Sequence, residues 1–219
     1  MRWSGNLSYA IGLITTDGNL SKDGRHINLT SKDKDQIENF IEALKITSNK
    51  VGLKSGTFAP NNKYYYVQFS DVGLYKFLLR IGLFPNKSKT LSRLKIPRRY
   101  FADFLRGCFD GDGCTYSYFD PRWKSSYMLY TSFTSGSRKY LVWLREEIEQ
   151  IYKIKGRIGA QGRSVYNLRF AKNHSMLLLY EMYRKRNSLF LSRKRLKIVR
   201  ALSIINQKAE VEESEDSLP

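Results

Sequence analysis

The sequence predicts an α+β fold made of two copies of one unit, each ordered helix, hairpin, helix, hairpin, helix, and three observations predict it. One phrase is written twice: Ala10-Ile11-Gly12-Leu13-Ile14-Thr15-Thr16-Asp17-Gly18 returns as Leu105-Arg106-Gly107-Cys108-Phe109-Asp110-Gly111-Asp112-Gly113. The agreement continues beyond it, with Leu29-Thr30-Ser31 matching Phe133-Thr134-Ser135 and Val67-Gln68-Phe69 matching Leu168-Arg169-Phe170. Finally, each of these strand-like pieces leads into an amphipathic, helix-like segment at a corresponding place. Asp-Gly is a common turn pair and glycine commonly ends helices, so one copy alone reads as a helix stop. Self-similarity on this scale means a duplicated unit.

In the first copy, the phrase forms a helix over about 7–17, followed by strands near 19–22 and 25–31 hinged at Asp23-Gly24, a hairpin turn signal. Ser31 or Asp33 caps the next helix, to about Lys45, with Ile37, Phe40, Ile41 and Leu44 on one face. A second hairpin spans roughly 52–58 and 63–70, turned at Pro60-Asn61-Asn62, and a helix near 71–81 closes the unit. The segment 83–99, with Pro85, Pro97 and many bases, reads as a linker lying against phosphate.

The second copy repeats the order. A helix over 100–111 precedes strands near 114–120 and 126–134, then a helix over about 137–152 with Leu141, Leu144, Ile148 and Ile151 on its apolar face. Strands near 155–161 and 164–170 join at Gln161-Gly162, and helices near 173–185 and 192–206 follow. The organisation is thus a repeat over 1–82, a basic linker over 83–99, a repeat over 100–207 and an acidic tail over 208–219 whose Glu/Ser composition predicts disorder.

Both copies deliver one carboxylate, Asp17 or Asp112, at the C-terminal end of a helix, where unpaired carbonyls already carry partial negative charge. That placement is unfavourable by roughly 0.3–1 kcal/mol unless a cation relieves it. Carboxylate and carbonyl oxygens with water are the ligand set of Mg²⁺. Gly12 and Gly107, lacking side chains, let two such helices approach closely and bring the acids together.

Composition points the same way. Lys and Arg number 38 against 20 acids, and five of those acids lie in the last ten residues, so the preceding chain carries +23. Such an imbalance is suited to a polyanion, of which nucleic acid is the natural candidate. Cys108 and Cys114 are the only cysteines and imply no disulfide framework, which favours a reducing compartment. No apolar stretch long enough to span a membrane occurs, and the start has no signal-peptide core, so an intracellular protein is expected, cytoplasmic or organellar with its host genome. His26 and His174, the only histidines, lie far apart with no Cys/His cluster, which disfavours a zinc finger or His-metal nuclease. The glycine-rich run at 107–113 lacks the Gly-Lys-Ser/Thr of a nucleotide phosphate loop, so no organic cofactor is expected.

The two phrases resemble the LAGLIDADG motif of homing endonucleases, in the single-chain form that holds two motifs, over about residues 5–205. The second copy matches at Gly107, Asp110, Gly111, Asp112 and Gly113; the first has Thr15 in place of the earlier acid but keeps Asp17. The resemblance implies two pseudo-symmetric αββαββα repeats packed through paired motif helices, with saddle-shaped antiparallel sheets. It implies a monomer that binds double-stranded DNA at a long asymmetric site and hydrolyses both strands with Mg²⁺, leaving short 3′ overhangs, with Mn²⁺ or Ca²⁺ able to substitute for binding. Asp17 and Asp112 would hold metal beside the carbonyls of Thr16 and Gly111. Lys87 or Lys89, and Lys194, fit the basic position that the family keeps near each half-site. Ser31 and Ser135 fall where a polar, water-ordering residue is common.

Strands alternate their faces, so a sheet can bury one and present the other to the major groove. The candidate readers on the hairpins are Lys22, Arg25, His26, Asn28, Lys54, Lys63, Tyr65 and Gln68, then Tyr116, Tyr118, Arg122, Lys124, Arg157, Gln161, Arg163 and Arg169. Similar proteins also act as maturases on intron RNA or as DNA-binding regulators that do not cut, and these are the alternatives.

Overall fold

The structure is a computed structural model that describes residues 1–47, 50–56, 61–123 and 126–215, with side chains as far as Gln207. Pro60, in the expected second turn, and Lys124, a candidate reader, lie outside the described residues.

Two helices form the centre. α1 (Gly5–Thr16) starts at Ser4, whose hydroxyl accepts from Leu7 N–H at 3.1 Å, and α4 (Phe101–Asp112) packs along it. Glycine at the crossing is required. A Cβ on Gly107 would overlap the Tyr9 carbonyl oxygen, and one on Gly12 would overlap that of Phe104 and lie 2.7 Å from the Cys108 nitrogen. Leu7 to Ile14 and Phe101 to Phe109 fill the core on both sides of this seam.

Around α1 lie β1 (Gly18–Leu20), β2 (His26–Ser31), α2 (Lys34–Leu44), β3 (Gly52–Ser55), β4 (Lys63–Ser70) and α3 (Val72–Ile81). Around α4 the order repeats as β5 (Gly113–Phe119), β6 (Tyr127–Ser135), α5 (Arg138–Tyr152), β7 (Arg157–Ala160), β8 (Tyr166–Phe170) and α6 (Lys172–Tyr183), with α7 (Ser192–Glu215) added. The strands make two antiparallel sheets, ordered β1-β2-β4-β3 and β5-β6-β8-β7. Alternation sets the inner faces: Ile27, Leu29, Val67 and Phe69 in one, Leu129, Phe133, Leu168 and Phe170 in the other, each covered by helices. The opposite face of each sheet is open.

Three differences from the sequence expectations have physical reasons. The linker packs on protein through Leu83, Leu91 and Leu94 and buries Lys87, while Lys89, Arg93, Lys95, Arg98 and Arg99 turn outward. Asp33 occupies the N-cap of α2 without capping it, because both its carboxylate oxygens accept from Arg193 at 2.7 Å instead, while Ser31 Oγ accepts from Asp33 N–H at 3.0 Å. And α7 runs to Glu215, into the segment whose composition predicts disorder; Ala209 and its neighbouring glutamates are good helix formers, and extending an existing helix avoids the cost of nucleation.

Candidate active site

The first motif helix ends with its hydroxyls and amides already used. Thr15 and Thr16 donate back to the carbonyls of Ile11 at 2.7 Å and Leu13 at 3.1 Å, and Asp17 N–H donates to Leu13 O at 2.9 Å. This leaves the Asp17 carboxylate as the new chemical group at the end of α1. It faces α4: its Oδ2 lies 3.0 Å from where a Cβ on Gly111 would stand, one residue before Asp112. The two acids therefore share the seam between the helix ends.

Their protonation shows the crowding. Burial raises Asp17 to about 6, the charge of Asp112 adds to the rise, and a bond from Gln36 together with Lys194 and Lys87 opposes it. Asp112 presents enough surface to be exposed, yet its carboxylate sits in the cleft between the helix ends, and that loss of water raises its pKa too. A hard divalent cation would relieve both. Among the described residues no cluster of three His, Cys, Asp or Glu forms a ready cage, so the protein offers two carboxylates and leaves other positions to carbonyls, water or phosphate, as Mg²⁺ tolerates. The oxygen-only donor set and the raised pKa of both acids fit such an ion.

One lysine serves each helix end. Lys87, almost wholly buried, donates to the carbonyl of Gly18. Lys194, at the start of α7, donates to the carbonyls of Phe109, Asp110, Gly111 and Gly113 at 2.6–2.8 Å. Burial lowers both to about 8, partly offset by the nearby acids. Of the two candidates in the first half, Lys87 is therefore the one at the site; Lys89 is exposed. The carbonyl of Gly111, expected to face a metal, accepts from Lys194 at 2.8 Å and keeps one further lone pair.

Sequence reasoning missed Gln36. Its amide donates to Asp17 Oδ2 at 2.9 Å and its carbonyl accepts from Ser31 Oγ at 2.7 Å, a relay that orients the acid. The signal was present: a polar residue among Ile37, Phe40 and Ala43 on the buried face of α2. Among the described residues the second repeat has no such relay. Its corresponding residue, Tyr140, pairs with Cys108 Sγ at 3.3 Å, while Ser135 Oγ only accepts from Ser137 N–H at 3.1 Å. Asp110, the earlier motif acid, is buried as an anchor that accepts from Tyr9 Oη and Leu191 N–H, both at 2.8 Å. Thr15 replaces it in the first repeat and needs no partner beyond its own helix.

The candidate readers divide. Asn28, His26 and Gln68 stand on the open face of the first sheet, and Tyr116, Tyr118, Arg157 and Arg169 on that of the second. Lys54 is exposed on the rim strand β3, Lys63 at the first residue of the inner strand β4, and Lys22, Arg25, Arg122, Gln161 and Arg163 on the connecting turns. Tyr65 is misplaced as a reader: it shares the parity of Val67 and Phe69 and packs against the core, so Tyr64 and Tyr66 take the open positions. His26 is held by Asp23, and Arg122 by Asp120 at 3.1 Å.

Paired helices that cross at glycines, end in facing acids and carry one four-stranded sheet on each side define the two-repeat LAGLIDADG fold. Solved structures agree. The chain is similar to the homing endonuclease I-WcaI bound to its DNA recognition sequence, with a TM-score of 0.64 at 13% identity over 90% of this chain and 87% of that one. For I-DmoI in complex with DNA and Mn the TM-score is 0.54 at 17% identity, over 83% and 98%. Full-length DUF199/WhiA from Thermatoga maritima gives 0.59 at 15%, over 99% and 68%. An uncharacterized protein of Methanocaldococcus jannaschii is 32% identical over 118 residues, 50% of this chain, which spans 39% of that relative's length. No family model matches the sequence.

Proposed function

We propose that this chain is a site-specific, metal-dependent endonuclease that binds a long asymmetric DNA duplex as a monomer and cuts both strands, leaving short 3′ overhangs, in the manner of intron homing. The observation that carries the reading is the meeting of Asp17 and Asp112 at paired helix ends, each beside a lysine that burial has stripped of water. A divalent cation held there supplies Lewis-acid charge and lowers the pKa of water. The chain's own groups do the rest. Asp17, oriented by Gln36 and Ser31, and Asp112 hold the ion; Lys87 and Lys194 offset the charge that builds on a phosphate in the transition state. Mg²⁺ is the proposed ion, and structures of I-DmoI in complex with DNA and Mn or Ca are consistent with divalent cations in this fold.

One observation favours a second reading, a DNA-binding regulator or an intron-RNA maturase that does not cut. Lys194 already contacts the Gly111 carbonyl, so its ammonium competes with a metal for that corner. A randomised duplex library incubated with the protein and Mg²⁺ separates the two. The nuclease reading predicts selected duplexes cut on both strands; retention of duplexes or intron-like RNA without cutting favours the second.

A further inference from the structure

We propose that the two sheets read half-sites of different base composition, guanine-bearing under the second sheet and adenine-bearing under the first, an inference that rests on the DNA-binding reading above. Among the described residues all eight strands lack Asp and Glu, so the basic side chains on the open faces have no acidic partner within their own sheets. What fills those faces differs between the halves.

On the first sheet, the register places Asn19 beside Asn28 and Asn28 beside Gln68, a row of three amides across β1, β2 and β4. Asparagine is depleted in strands, so this row is not what the pleated backbone itself prefers. An amide presents one acceptor and one donor side by side, the complement of adenine N6 and N7 in the major groove. At the equivalent place of the second repeat, where Val67-Gln68-Phe69 becomes Leu168-Arg169-Phe170, the glutamine is replaced by Arg169. Its register partner is Arg157. Like charges directly opposite each other across two strands are destabilising without a ligand that brings acceptors.

Arg169 is also held in place. Its guanidinium lies 5.5 Å from the ring centre of Tyr130, and its Nη1 donates to Tyr116 Oη at 3.3 Å. Tyr116 and Tyr118 stack on Tyr130 with ring centres 5.0 and 6.3 Å away. A fixed guanidinium fork suits the paired O6 and N7 acceptors of guanine. Position separates base from backbone contacts: Gln68 and Arg169 lie on β4 and β8, inner strands of their sheets, whereas Lys54 stands on the rim strand β3. Inner strands reach the groove floor when a sheet docks, and rim lysines meet phosphates.

The test is selection of bound duplexes from a randomised library by the full chain in EDTA, so that binding alone is read. The expected sequences carry guanine on one side of the centre and adenine on the other. Arg169→Ala should flatten a guanine preference and Gln68→Ala an adenine preference in the opposite half, each by about tenfold. Bound duplexes with halves of like composition overturn the assignment and leave the nuclease reading standing. So does uniform weakening by Arg169→Ala with unchanged preferences, the signature of a phosphate contact. Retention of no duplex, or of RNA hairpins in preference to DNA, removes both readings.

Discussion

Asp17 holds its proton to about pH 6 in the folded chain, while a free aspartate releases it near 3.8, so the native state binds more protons between those values. Folding stability therefore falls as the pH rises through that window, and the raised Asp112 acts with the same sign. Lys87 and Lys194, lowered to about 8 from 10.5, have the reverse effect: stability rises as the pH passes from about 8 to 10.5. A cation that binds the ionised acids should offset the loss. Saturating Mg²⁺ is expected to raise Tm by about 5 °C at pH 7.5 and to leave it unchanged at pH 4, as read by calorimetry. An equal effect at both pH values would remove the acids as its cause. Gln36→Leu, which strips Asp17 of its oriented bond, is expected to slow one strand's cleavage more than the other's and accumulate nicked duplex on a gel. Equal slowing would deny the asymmetry between Gln36 and Tyr140. The acids were legible because the repeat writes their positions twice, and Lys194 because the resemblance implies a basic residue near each half-site. Gln36 was hidden by attention to apolar periodicity, and the choice between Lys87 and Lys89 depends on a short turn entered at Asn86 with φ of 59°, which spacing does not specify.

The paired helices carry the account at the scale of elements. Gly107 stands against backbone, the Tyr9 carbonyl, and backbone cannot swing aside as a side chain can. Gly107→Ala should accordingly cost about 1–3 kcal/mol of stability, seen as a lower denaturation midpoint. Gly159→Ala is the control, since its new Cβ meets only the Asn167 side chain at 3.4 Å and its φ is not positive. Equal destabilisation by both would mean that the crossing is not the tight point. Helix and hairpin order were readable from period and turn residues, and Asp23-Gly24 does turn, with Gly24 at φ of 81°. Tyr65 is reader-like in residue type, but counting by twos from Val67 assigns it to the core. Tail composition predicts disorder, whereas continuation of an existing helix carries α7 to Glu215.

At the scale of the whole molecule, +18 net charge and two acid-free sheets suit a long polyanion along both open faces. Binding should weaken steeply with salt, with a slope of about −0.9 for each phosphate neutralised, and a salt-independent affinity would contradict that placement. The two-unit architecture was legible because duplication gives each element a second witness in the chain. The composition of the target was not, since which residues share a row depends on register across strands distant in sequence. The most direct measurement compares the intact chain with Asp17→Asn and Asp112→Asn on one selected duplex in Mg²⁺, reading cleavage and affinity together. Cutting should disappear, by at least about a hundredfold, while affinity persists. Undiminished cutting by either variant would contradict a shared centre at the helix ends.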